Sequence, residues 1–244
     1  MERAGVSEAV GAILIFSIAA LCISIYYTSY LRNAASRNEA SHRSQITGKF
    51  LSLGDLVGRL ENGGQILITI PLSPEPVSGF LYSPPRPLAG RVEVENSGQG
   101  RLCYTSGYLY HSNFSVLFEG GGVILIQEGT PLMLSPPDLL RVTENEVHTV
   151  EYRISGSDRL SGTGNLTLRV RCSREETYLW ENVYYTLALD NRTLPVWRSY
   201  FQQENRRLSG LPLSVEPLEN GISIRGDNLL WHRTVVELRI ELAG

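Results

Sequence analysis

The chain has almost no lysine: Lys49 stands alone against 21 arginines. With a pI near 5.9 it offers no basic patch for nucleic acid, so no nucleic-acid partner is expected. Cysteine is nearly as scarce. Of three, Cys22 lies in an apolar run, which leaves Cys103 and Cys172 for the rest of the chain. One such pair in an exported domain points to a disulfide between Cys103 and Cys172, with two buried free thiols as the alternative. The four histidines, His42, His111, His148 and His232, are isolated in sequence. None has a second His, Cys or carboxylate at a metal-ligand spacing. No G-x-S-x-G elbow raises a serine nucleophile. Gly98-Gln99-Gly100 fails the dinucleotide pattern, because Cys103 occupies the third glycine place and a strand follows.

Other fragments read as structure rather than chemistry. Gly120 to Gly122 suit the positive φ angles of a tight hairpin. Asp190-Asn191-Arg192 and Ser157-Asp158-Arg159 read as loop ends rather than calcium ligands. Trp180, Trp197 and Trp231, with 12 tyrosines, are either a sugar-binding platform or, more simply, parts of a β core. No catalytic, cofactor-binding or metal-binding residues are expected, and the chain is not read as an enzyme.

What the sequence does have is a long uncharged run. Between Glu8 and Arg32 lie 23 residues without a charge, which as a helix span roughly 34 Å, more than the ~30 Å hydrocarbon core of a bilayer. A secretory signal has an apolar core of only about 7–15 residues followed by small residues at a cleavage site. Here Ile23, Ile25, Tyr26, Tyr27 and Tyr30 follow instead, an aromatic cluster suited to the headgroup boundary. The run is therefore expected to stay as a membrane helix.

Arg3-Ala4-Gly5, followed by Val6-Ser7-Glu8 and the apolar run, resembles the class III signal peptide of archaeal type IV pilins. That resemblance implies cleavage by a prepilin peptidase between Gly5 and Val6, removing residues 1–5 and keeping the helix; a plain anchor without processing is the alternative. It also gives Glu8 an assembly role. In bacterial pilins a glutamate near the mature start pairs with a neighbour's N-terminal amine, although there it is the fifth mature residue and Glu8 would be the third.

The helix is expected to run on to about Glu61, roughly 84 Å in all. From Arg32 to Glu61 there is no proline. Residues 32–45 are polar with Ala34, Ala35 and Ala40, a solvated or groove-lining stretch. Ile46, Phe50, Leu53, Val57 and Leu60 then recur at spacings of 4, 3, 4 and 3, one apolar stripe. Asn62-Gly63-Gly64 is the stop.

After Gly64 the period changes to 2. Strands are expected at 65–72, 90–95, 101–111, 115–118, 123–127, 147–154, 165–171 and 183–189. Glu119 to Gly122 form a hairpin turn. A proline-rich connection over 71–87 is interrupted by Phe80, Leu81 and Tyr82. Pro195 opens a short helix to Arg207, and two or three strands close the chain. The last of these sets Val236, Leu238, Ile240 and Leu242 against Glu237, Arg239 and Glu241. The fold class expected is α+β: a long N-terminal helix over 6–61 and a β-rich, mostly antiparallel head over 65–244, large enough for one core.

Sidedness is read from conflicting signals. Arg32, Arg37, Arg43 and Lys49 follow the apolar run and only Arg3 precedes it, a bias that alone would put the head in the cytoplasm. Three acceptor patterns for N-glycosylation, at Asn113, Asn165 and Asn191, the single cysteine pair and the lack of lysine favour an extracellular head.

The head is similar to an uncharacterised group of archaeal membrane-anchored, pilin-like proteins. The matching pieces are Tyr104 to Tyr110, Phe118-Glu119-Gly120-Gly121-Gly122 (with Phe118 where the pattern more often has Tyr), Pro136-Pro137, and Trp197 with Tyr200 and Phe201. The resemblance implies a structural or minor subunit of a type IV pilus-like surface filament, polymerising through its helix with copies of itself or other pilins and served by an assembly machinery. The alternative is a permanently anchored extracellular module that binds glycans or surfaces.

Overall fold

The structure, a computed structural model, describes all residues except 1, 80–84, 86–87, 144–145, 157–158, 181–182, 189, 209–212, 219–220, 227–229 and 244. The expected residues 80–82 of the proline-rich connection, and two of the three residues of the turn at 157–159, lie outside those described.

One helix, α1 (Glu2–Arg59), carries the whole N-terminal quarter without a break. At 1.5 Å per residue it is about 87 Å long. Proline is absent from it, and Ser17, Ser24, Thr28 and Ser52 donate their hydroxyls to carbonyls one turn back in the helix. Gly63, at φ 79°, turns the chain out of it, a conformation that costs glycine little. The next residues dock at once: Gly63 N–H donates to the Cys172 carbonyl and Cys172 N–H to that of Gly64, both at 2.9 Å.

Among the described residues, fourteen strands follow in three sheets. β1 (Gln65–Pro71), β2 (Gly90–Glu95), β3 (Arg101–Thr105), β4 (Phe114–Glu119), β5 (Gly122–Gln127), β6 (Thr130–Ser135) and β7 (Leu140–Val142) come first. β8 (Glu146–Ser155), β9 (Arg159–Gly162), β10 (Asn165–Trp180) and β11 (Val183–Ala188) lead to α2 (Leu194–Arg207). β12 (Leu213–Leu218), β13 (Gly221–Gly226) and β14 (Leu230–Ala243) end the chain. The sheet orders are β6-β5-β4-β3-β2-β9, β1-β10-β14-β8-β7 and β11-β13-β12. Every pairing is antiparallel except β14 with β8. The α+β class and the mostly antiparallel head are as the sequence indicated.

The β4–β5 hairpin shows why its glycines are there. Glu119 pairs with Gly122, so Gly120 and Gly121 form a two-residue turn with φ 55° and 81°, the geometry that matches strand twist. Both are also crowded. A Cβ on Gly121 would lie 2.4 Å from the Tyr152 ring, and one on Gly120 3.1 Å from the Trp197 ring.

Two cores organise the head. The first gathers Ile46, Phe50, Leu53 and Val57 of α1, Leu102, Tyr104, Val116 and Phe118 of the six-stranded sheet, and Leu168, Val170, Val236 and Leu238 of the five-stranded sheet. The second lies around α2, where Leu194, Trp197 and Phe201 meet Cys103, Leu117, Ile124, Val147 and Trp231. Alternation explains the partition. Leu102 and Tyr104 face one core and Cys103 the other, so the six-stranded sheet is covered on both faces. In β14 the even residues Val236, Leu238 and Ile240 are buried in the first core, while the odd residue Trp231 enters the second. The buried face of that sheet therefore changes along its length.

This parity corrects the expected disulfide. Cys103 and Cys172 are both buried free thiols, Cys172 in the first core and Cys103 in the second, with the six-stranded sheet directing Cys103 away. Burial raises the Cys103 thiol pKa, which keeps it protonated and unreactive.

Candidate functional site

The exposed residues that most need explaining are on the first half of α1. From Ala9 to Tyr30 almost every residue is exposed. Val10, Ile13, Leu14, Ile15, Phe16, Ile18, Leu21, Ile23, Ile25, Tyr26 and Tyr30 are between 56 and 76 % exposed, far more apolar surface than a monomer leaves in water. These residues point around the full circumference, so no single partner face accounts for them. The few polar side chains are neutralised locally. Ser17, Ser24 and Thr28 donate to the carbonyls of Ile13, Ala20 and Ser24 at 2.8 Å, which suits a helix surrounded by apolar matter. This segment is long and apolar enough to cross a membrane. Gly5, Val6 and Glu8 lie in the first turns of the same helix, and the side chains of residues 2–8 are outside the described residues.

At Leu31, only 2 % exposed, the helix meets the head. From there one face is buried through Glu39, His42, Ile46, Phe50, Leu53 and Val57, none above 3 %. The stripe of 46–57 was legible in sequence, but its polar extension was not. Glu39 and His42 continue the 3–4 spacing backwards from Ile46, and that spacing was the available signal. The Glu39 carboxylate accepts three backbone N–H bonds, from Leu109 (2.8 Å), Tyr110 (3.0 Å) and His111 (2.9 Å). Successive amides aimed at one anion form a nest, here filled from the helix. His42 Nε2 donates to the Pro71 carbonyl at 3.0 Å, which leaves Nδ1 to accept from the Tyr108 hydroxyl at 2.8 Å. Burial lowers the His42 pKa, outweighing the upward pull of the Pro71 carbonyl and Glu39, so the ring is held neutral in that tautomer. Arg32 lies 6.0 Å over the Tyr110 ring and Arg43 5.4 Å over Phe114. Asn38 Nδ2 donates to the Glu75 carbonyl at 2.9 Å. Residues 32–45 are thus a docked, groove-lining stretch.

Beside this junction lies a cleft of about 540 Å³ lined by Asn38, Ser41, Gln45, Lys49, Glu75 and Asn165 among others. Its lining is polar and lacks a tryptophan or tyrosine platform. Trp197 and Trp231 are fully buried, bonded through Nε1 to Glu119 (3.1 Å) and Thr149 (2.8 Å). Those two are core residues, as the simpler reading had it. Asp190 belongs to an ion cluster: Arg101 reaches it at 2.6 Å and also pairs with Glu95. Although partial burial opposes it, bonds from Arg192 and Arg101 bring the Asp190 pKa down to about 2.

The three asparagines of the glycosylation patterns are all exposed, on separate parts of the head. Asn113 also clamps its loop, its Oδ1 accepting from Tyr108 N–H at 2.7 Å. Asn165 opens β10 at the rim of the cleft, and Asn191 precedes α2, with Thr193 of its pattern fully buried. Among the described residues no group of three or more His, Cys, Asp or Glu side chains could hold a metal. Two histidines that look isolated in sequence, His148 and His232, are nevertheless in contact; only the parallel pairing of β8 with β14 brings them together.

No protein-family model, no curated protein and no solved structure matches this chain.

Proposed function

We propose that the chain is a structural or minor subunit of an archaeal type IV pilus-like surface filament, anchored in the membrane before assembly and polymerising through the bare half of α1. One observation carries this reading: a single unbroken helix is docked into a folded head from Leu31 onward and left apolar and uncovered from Ala9 to Tyr30. A plain anchor needs a membrane span, and this helix supplies one. A filament subunit also needs that span rigidly continuous with its head, so that packing the helices fixes where the heads sit. The Glu39 nest, the His42 bonds and the buried stripe supply that rigidity.

The positive charges after the span are also reinterpreted. Arg32 and Arg43 lie over Tyr110 and Phe114 of the head, so they serve docking and weigh less as a cytoplasmic signal. The head is then extracellular, with Asn113, Asn165 and Asn191 available to glycosylation and self or other pilins as partners. The polar cleft keeps a second reading in view, a permanently anchored glycan- or surface-binding module.

The two readings separate experimentally. For the filament, a prepilin peptidase cuts between Gly5 and Val6, so mass spectrometry of membrane-extracted protein finds Val6 at the N-terminus, and sheared cell-surface material contains the protein. Glu8→Gln then keeps cleavage and membrane insertion but lowers recovery in the sheared fraction. An intact leader together with absence from sheared material rejects the filament in favour of the anchored module.

A further inference from the structure

β8 and β14 run parallel with His148 opposite His232, and one step further across the sheet Tyr178 of β10 lies opposite His232. The two imidazoles meet edge to face with centroids 4.9 Å apart, and their Nδ1 atoms are 2.9 Å apart. Tyr178 stacks on His232 with centroids 4.2 Å apart and the rings nearly parallel. Behind each ring is a carboxylate: Glu146 lies 3.3 Å from His148 Nε2 and Glu176 lies 3.6 Å from His232 Nε2.

The hydrogen inventory makes this arrangement informative. A carboxylate only accepts, so His148 Nε2 is best served by carrying the hydrogen toward Glu146, which leaves its Nδ1 as a lone pair. Glu176 stands beyond hydrogen-bond reach of His232 Nε2, which has no hydrogen-bond partner, so the His232 hydrogen is best placed on Nδ1, donating to His148 Nδ1. Displacing that one hydrogen leaves two imidazole nitrogens side by side, each able to ligate a metal ion. Carboxylate, histidine and metal in line is also the arrangement that fixes ligand tautomers at metal sites.

We propose that His148 and His232 form an open divalent metal site in which both Nδ1 atoms ligate a Cu²⁺ or Ni²⁺ ion in place of the hydrogen between them, with Glu146 behind the His148 ring and Glu176 close to the His232 ring. The spacing selects the class of ion. Two nitrogens at about 2.0–2.1 Å in adjacent positions of a tetragonal site are about 2.9 Å apart, whereas tetrahedral ligands stand about 3.3 Å apart. Charge agrees as well, since two carboxylates, Glu146 and Glu176, stand beside the pair. Arg141, beside His148 across β7, is ion-paired with Asp138 at 3.2 Å, and Arg233 pairs with Glu151. A cleft of about 250 Å³ adjoins His148, lined also by Asp138, Arg141 and Thr234. Among the described residues the site has two protein donors, His148 and His232.

The test is a copper(II) titration of the full detergent-solubilised chain, followed by electron paramagnetic resonance at pH 7.5. One equivalent should bind per chain with a superhyperfine pattern from two nitrogens, and it should be lost in both His148→Gln and His232→Gln. His111→Gln, at a distant exposed histidine, should retain it. Glu176→Gln removes a group that does not ligate and should weaken binding about tenfold with the stoichiometry kept. Acidification to pH 5.5 should release the ion as protons compete. Thermal melts of each variant separate loss of the site from loss of the fold. Absence of a saturable equivalent in the wild-type chain, or binding that survives both histidine substitutions, overturns the proposal.

Discussion

Phe50→Ala separates the two halves of α1. Phe50 is 0 % exposed and sits in the first core with Ile46, Leu53 and Val57. Truncating a fully buried phenylalanine costs about 3–5 kcal/mol, the spread reflecting how far the site collapses. Two sheets enclose this position, so little collapse is available and the upper part of that range applies. For a head of this size each kcal/mol is worth about 2–4 °C in melting temperature, so the midpoint should fall by roughly 8–20 °C. Phe16 is the matched control: the same residue type on the same helix, but 76 % exposed. Phe16→Ala should leave the midpoint within about 2 °C, since surface substitutions rarely exceed ±0.5 kcal/mol. Instead it should reduce recovery in sheared filaments. The assay is thermal unfolding of full-length protein in detergent, followed by near-ultraviolet circular dichroism of the head. Equal shifts for the two variants, or a silent Phe50→Ala, would refute the division of α1 into a docked half and a bare half.

Three further outcomes follow from the junction and the cores. Glu39→Ala leaves the amides of 109–111 without their acceptor and should destabilise by about 2 kcal/mol in denaturant unfolding, since hydrogen bonds to a charged group contribute roughly 1.5–3; Glu39→Gln, which keeps one oxygen, should lose less. His42 has a lowered folded-state pKa, so its contribution is fully present above its unfolded value of about 6.5 and is lost as pH falls below that; melts at pH 8 and pH 5.5 should differ more for wild type than for His42→Gln, and equal differences would dismiss the role. Because Cys103 and Cys172 are free, reductant should leave the melting temperature unchanged and a thiol reagent should label both on unfolding without prior reduction; a drop in reductant, from losing about 4 kcal/mol of loop restraint, would restore the bond.

Much of this fold was readable because it follows from short-range physics. The stripe at Ile46, Phe50, Leu53 and Val57 is a helical period, and all four residues are buried. β2 at Gly90–Glu95 was legible to the residue, and so was the turn at Gly120-Gly121, because alternation and turn chemistry are local. Three short strands, β6, β7 and β9, were missed. They have three to six residues each, and edge or near-edge positions ask for little periodicity. β3 was read too long. Residues 106–111 look like a strand by their tyrosines, but the Tyr108 amide is taken by Asn113 and those of 109–111 by Glu39, a tertiary demand with no local mark.

The same division between local and non-local information explains the candidate sites. An exposed apolar helix is a property of one segment, so the sequence carries it in full. The relation of Cys103 to Cys172 is a property of two sheets. A count of cysteines could not tell a bridge from two thiols, because the answer depends on which face of β3 residue 103 occupies relative to β10. His148 and His232 were invisible for the converse reason: they are 84 residues apart, and only a parallel pairing inside an otherwise antiparallel sheet puts them at one register position. That pairing is unusual here, since it joins the last strand to a strand from the middle of the chain. It is also where the sheet changes its buried face, with Trp231 turned into the second core and His232 left on the other side. A strand that must bury Trp231 necessarily presents its neighbour outward, and the parallel register then sets His232 against His148 whatever else selection required of either residue. The proposed metal site is built on a position the core had already fixed.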